Sequence, residues 1–165
     1  DLIAYVSQVP YIFKETIQKN IALGYEESEL NSKQIIEILK KVNLYDFISN
    51  SEQGINYLVS DEGSNLSVGQ KQRLGIARAL YHDPEIIIFD EATNSLDSIT
   101  EKIVSETIYR LSKKKTLVII THNISSIKKC DMINILDKGM IVAKGDYKKL
   151  MRTNKLFKKI SMRYN

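Results

Sequence analysis

Several things are scarce in this 165-residue sequence, and each scarcity removes a class of explanation. There is one cysteine, Cys130, so no internal disulfide can form, and a lone thiol fits a reducing compartment. Two histidines, His82 and His122, stand beside it, too few for a dedicated Cys/His metal site. Apolar runs such as IIIF (Ile86 to Phe89) and LVII (Leu117 to Ile120) are four residues long. A membrane-spanning helix needs about 20. The first residues carry no signal-peptide pattern, and no internal repeat or low-complexity tract is present. Excess charge of one sign is also small: 24 basic against 20 acidic residues give +4, too mild a balance for a nucleic-acid binder.

What is present is the material of one globular domain. The length suffices for a sizeable core. A charged share of 27% beside an apolar share of 43% argues against a membrane span. The basic excess gathers from Lys144 onward and reads as a solvated helix face; attraction to an anionic membrane surface is the alternative.

Residues Leu2 to Val6 (LIAYV) predict a buried strand. It starts with no cap, turn or linker before it, as if the chain were cut inside a domain. After Gln8 and Pro10 a helical region is expected to stop at Gly24. Ser32 is placed to cap a helix whose Ile35, Ile36, Ile38, Leu39 and Val42 form one broad apolar face. Residues 50–65 are polar, include Gly54 and Gly63, and read as loop. From Pro84 the pattern changes. EIIIFDEA is an apolar run ending in acids; Ile99, Ile103, Val104, Ile108 and Leu111 recur at helical spacing; TLVIITH is a second apolar run. Apolar runs alternating with helices predict a parallel sheet covered on both faces. Met132 to Gly145 predicts strand, Gly turn and strand. One or two short helices follow Asp146.

Three groups of residues carry chemistry. Ser67-Val68-Gly69-Gln70 fits the S-x-x-Q capping box at a helix start. Free N–H groups there suit a phosphate, Gly69 permits close approach, and the Ser67 hydroxyl and Gln70 amide add side-chain contacts. The plain alternative is an ordinary capped helix. Asp90 and Glu91 close a strand at its C-terminal end, where open parallel sheets bind ligands. Asp90 suits Mg2+, directly or through water, and Glu91 suits polarising an attacking water. Two solvated acids are the alternative. His122 follows the second apolar run, placed to hydrogen-bond a terminal phosphate or to serve structure. Gln8 ends the first strand within reach of a metal or water.

Taken in order, Gln8, LSVGQ, Asp90-Glu91, Asn94-Ser95-Leu96-Asp97 and His122 resemble the nucleotide-binding domain of ATP-binding cassette (ABC) transporters, over nearly the whole chain. The resemblance implies an α/β fold, a partial P-loop NTPase (RecA-like) parallel sheet with helices on both faces plus an inserted helical subdomain. It divides the chain into a core strand and Q-loop (1–9), a helical subdomain ending in the signature (10–72) and the rest of the core (73–165). It implies ATP and Mg2+ as cofactors. Gln8 matches the Q-loop, with a catalytic and metal role. Ser67, Gly69 and Gln70 lie in the nucleotide-contacting signature. Asp90 matches the Walker B metal ligand and Glu91 the catalytic glutamate. Ser95 to Asp97 match the D-loop, Asp97 being its cofactor-binding member, and His122 matches the switch histidine.

Within that family, VPYIFKETIQKNI resembles exporters, with Phe13, Thr16, Ile17, Asn20 and Ile21 at the expected places. Glu62 and Gly63 fall in the loop said to sense the transmembrane part. The later segments look most like bacterial peptide and bacteriocin exporters. Val68 replaces the commoner glycine, and THN replaces AHR while keeping the histidine. The implied partners are a second nucleotide-binding domain, head to tail, and transmembrane domains. No nucleic acid is expected, and the implied place is the cytoplasmic side of a cell membrane. A soluble cassette ATPase of repair or translation predicts a coiled-coil insertion or strong basic patch, and neither is here. A truncated module that only donates its signature is the third reading.

One element is missing from the pattern. The phosphate loop has the form G-x-x-x-x-G-K-[ST], and none of the seven glycines starts it. In the family this loop lies upstream of the Q-loop, so the chain is expected to be the second, larger part of such a domain. The loop's absence predicts no meaningful ATP hydrolysis by the chain alone, an exposed sheet edge or gap, and self-association.

Overall fold

The computed structural model describes residues 2–94 and 96–163. It divides into two compact units, 1–120 and 121–165.

The first unit is built on a parallel sheet of three strands: β1 (Ile3–Val6), β2 (Ile86–Asp90) and β3 (Thr116–Ile120), in that spatial order. Their residues are mostly β-branched and aromatic, which suits a pleated surface. In register, Val6 lies beside Phe89 and Phe89 beside Ile119, so one side of the pleat carries Ala4, Val6, Ile87, Phe89, Leu117 and Ile119. All six pack into the main core. The opposite side carries Ile3, Tyr5, Val118 and Ile120, all exposed. The packed core lies on the first of these faces.

Helices supply the rest of this unit: α1 (Ile17–Ile21), α2 (Ser32–Lys41), α3 (Tyr45–Ser49), α4 (Val68–Tyr81) and α5 (Ser98–Leu111). The apolar face expected on α2 is present, with Ile35, Ile38 and Leu39 buried. Its cap is Asn31 rather than Ser32: the Asn31 side chain accepts the Gln34 amide at 3.1 Å, and Ser32 becomes the first helical residue. Either residue type can cap, so the letters alone do not choose. The helix before Gly24 ends at Ile21, and Gly24 instead takes a left-handed turn at φ +90°. Residues 50–65 hold two short 3-10 turns, Gly54–Asn56 and Asp61–Gly63. Asn65 pins this segment by accepting the Ser60 amide and donating to the Leu58 carbonyl.

The second unit holds an antiparallel hairpin, β4 (Ile133–Asp137) and β5 (Met140–Gly145), then two helices, α6 (Tyr147–Thr153) and α7 (Lys155–Arg163). Lys138 and Gly139 both have positive φ, the conformation a tight hairpin turn requires. Asp146 caps α6 by accepting the Lys149 amide at 2.7 Å.

Candidate functional site

Parallel pairing of β1 with β2 sets the C-terminal ends of the two strands side by side. Asp90 is the last residue of β2 and Glu91 the next in the chain. The Gln8 side-chain amide, two residues beyond β1, donates to Glu91 Oε2 at 2.9 Å. Glu91 is itself in the left-handed region at φ +48°, and its amide donates to the Ile120 carbonyl at 2.9 Å. The turn out of β2 is thereby tied to the end of β3. The structure thus brings Gln8 and Glu91 into contact directly after Asp90.

Tyr5 was not legible as part of this group. Its hydroxyl donates to Asp90 Oδ2 at 2.6 Å, a short bond to a charged acceptor. That bond raises the phenol above its ordinary pKa. The signal in the sequence was faint: Tyr5 and Asp90 face the same side only once the strand register is known. Two carboxylates and an amide oxygen at adjacent strand ends are hard oxygen donors, and such a set fits Mg2+. No cluster of three or more His, Cys, Asp and Glu forms a cage among the described residues. Mg2+ is usually held by one or two carboxylates and the substrate's phosphates, so this small donor set agrees with it.

Ser67, Gly69 and Gln70 form a second group at the start of α4. The capping box is complete. Ser67 Oγ accepts the Gln70 amide at 3.2 Å, and Gln70 Oε1 accepts the Ser67 amide at 2.7 Å. The first amides of a helix have no intrahelical acceptor, so Val68 and Gly69 present N–H groups at a partly positive helix end. Val68 is exposed.

Asp97 caps α5, accepting from the amides of Ile99 at 3.2 Å and Thr100 at 3.0 Å. Hydrogen bonds from Thr100, then Ile99, hold its carboxyl below the usual range. The charge of Asp97 also favours the Arg73 guanidinium, whose pKa burial lowers. Ser95, the other candidate of this loop, lies outside the described residues. His122 belongs to the second unit; it is exposed and lies two residues beyond β3 in the chain.

Further polar contacts, which the letters did not reveal, tie the helices to the segment after β1. Asn20, fully buried, donates to the carbonyls of Phe13, Glu15 and Thr16 and accepts the Phe13 amide. Arg78 donates to the Asn20 carbonyl at 2.8 Å and the Tyr11 carbonyl at 3.0 Å. Gln72, 1% exposed, donates to the Ser7 carbonyl at 3.1 Å. A polar residue recurring on the inner face of a helix is the only trace such contacts leave in a sequence.

The comparisons with known proteins bear on the family and the fold. The family model described as ABC transporter matches residues 1–94, more than half of the chain. The chain is 41% identical over 150 residues to the ABC multidrug transporter MDR2 of Trichophyton equinum, covering 91% of this chain and 11% of that protein. It is 41% identical over 149 residues to ABC transporter B family member 15 of Arabidopsis thaliana, covering 90% of this chain and 12% of that one. Among solved structures, a bacterial Atm1-family ABC exporter with ATP bound superposes with a TM-score of 0.92 at 33% identity, over 98% of this chain and 28% of that one. The fold expected from the motifs, part of a P-loop NTPase domain with a parallel sheet and helices, is the fold found. The chain spans about a ninth of the length of the transporters it matches, and it belongs to the ABC transporter family.

Proposed function

We propose that the chain is part of the nucleotide-binding domain of an ABC exporter, which binds Mg-ATP between two head-to-tail copies and hydrolyses it to power export across a membrane. The observation that carries this reading is the Gln8–Glu91 contact beside Asp90 at the strand ends. Residues 1–9 and 73–165 act as the core and residues 10–72 as the helical subdomain. Glu91 orients and polarises the attacking water. Gln8 holds Glu91 in place through its amide N–H and offers its carbonyl oxygen to the metal. Asp90, steadied by the Tyr5 hydroxyl, is the carboxylate ligand. Bound Mg2+ supplies neutralisation of the phosphate charge, which with positioning accounts for nearly all catalysis of phosphoryl transfer. His122 hydrogen-bonds the terminal phosphate. Ser67, Gly69 and Gln70, with Asp97, contact nucleotide held by the opposite copy. Transmembrane domains dock on this one from the membrane, and it works on the cytoplasmic side.

The G-x-x-x-x-G-K-[ST] loop is not in these 165 residues. Calorimetric titration of the chain alone with Mg-ATP is therefore expected to show no binding. In a longer protein that carries the loop, Glu91→Gln is expected to lower turnover by about 10²-fold or more. Clear binding by the chain alone at a defined stoichiometry, or full turnover by the Glu91→Gln variant, would overturn the reading.

A further inference from the structure

Gln8 stands in a segment that α4 holds from both sides. Gln72 grips the Ser7 carbonyl at 3.1 Å, just before Gln8. Arg78 grips the Tyr11 carbonyl at 3.0 Å, three residues after it. Between them Gly75 lies against Pro10, so closely that a Cβ on Gly75 would fall 2.7 Å from Pro10 Cβ. Residues 72, 75 and 78 are three apart and share one face of the helix. Each carries its own contact to residues 7–11: a hydrogen bond, close packing and a second hydrogen bond. The geometry points to α4 as a splint for Gln8, with Gln72, Gly75 and Arg78 as positioning residues that set its contact with Glu91.

The same helix begins with the Ser67–Gln70 box. Gln72 is two residues beyond Gln70, about 3 Å along the axis. A helix is stiff over so short a span, so a displacement of its first turn reaches the Ser7 carbonyl with little loss. The state of the helix N-terminus and the Gln8–Glu91 contact are therefore coupled, and the coupling runs equally in both directions. On the proposed function this links nucleotide at the partner's site to the water-positioning group of the chain's own site. That meaning rests on the proposed function; the mechanical link does not.

The test is solution NMR of the 165-residue chain, following the side-chain NH2 of Gln8, assigned by its loss in Gln8→Glu. Gln72→Met keeps volume and helix propensity while removing the donor, and Gly75→Ala drives a methyl against Pro10. The control is Gln34→Met. It removes a glutamine-to-carbonyl bond from Gln34 to Tyr81 at the far end of α4. Gln72→Met and Gly75→Ala are expected to move the Gln8 signals toward those of an unbound glutamine and to speed their exchange with water several-fold. Gln34→Met is expected to leave them in place. If the first two lower the melting temperature yet leave Gln8 at its wild-type position, their role is structural support alone and the inference fails. Should Gly75→Ala not fold, Gln72→Met decides; should neither fold, Arg78→Lys is read the same way. A positive result stands even if Mg-ATP never binds, so the two readings can fail separately.

Discussion

The two faces of the β1–β2–β3 sheet carry similar residues and meet opposite surroundings. On one face Ile87 is 0% and Val6 and Phe89 are 2% exposed. On the other, Ile3 is 52%, Tyr5 59%, Val118 44% and Ile120 50% exposed. Consecutive apolar letters in a strand therefore do not say which of its faces is covered. The covered face holds the domain together. The open face carries the Tyr5–Asp90 bond and ends at the strand tips where the candidate site lies.

Truncation is the sharpest way to break this comparison. Ile87→Ala on the covered face should cost about 2–5 kcal/mol by urea denaturation, because transfer and cavity terms add. Ile120→Ala on the open face should stay below about 1 kcal/mol. Equal costs would mean that the open face is covered in solution. Association comes next in size. The β3 edge and the apolar open face predict self-association that grows with concentration, since unpaired strands recruit partners. Light scattering coupled to size exclusion should show Val118→Lys shifting the chain toward monomer. A clean monomer at high concentration with Val118 intact would count against the idea.

The smallest effect separates the helical layer from the sheet. His82, at the end of α4, packs its ring 5.5 Å from that of Tyr25. Burial, with help from the Arg78 charge, lowers its pKa below 6.5. The folded chain then binds fewer protons at this site than the unfolded one, so the contribution to stability is present above about pH 6.5 and is lost as pH falls through the range below it. His82→Gln should flatten the melting temperature between about pH 7 and pH 5; an unchanged slope would remove His82 from the account.

Periodicity made most of the elements legible. α2, α5 and the β4–β5 hairpin stand where apolar spacing and turn residues put them, and α4 starts where its capping box puts it, because each rule there is local. The Ser67–Gln70 box was legible for the same reason: both its bonds span three residues. Choices between equivalent neighbours were not legible, as with Asn31 and Ser32. Nor were contacts between distant segments. The Tyr5–Asp90 bond depends on strand register, and the Gln72–Ser7 bond on how a helix is seated. In both, a polar letter reads as solvent-facing until its partner is known.

The backbone of Glu91 carries a further consequence. At φ +48° it occupies a region where glycine and asparagine are at ease and glutamate is disfavoured by about 1 kcal/mol. Glu91→Gly or Glu91→Asn should therefore make the chain more heat-resistant while removing the carboxylate. A laboratory selection that rewarded melting temperature alone would drift toward those changes and discard the acid. On the proposed function, that backbone strain is what keeping a carboxylate at the strand tips costs.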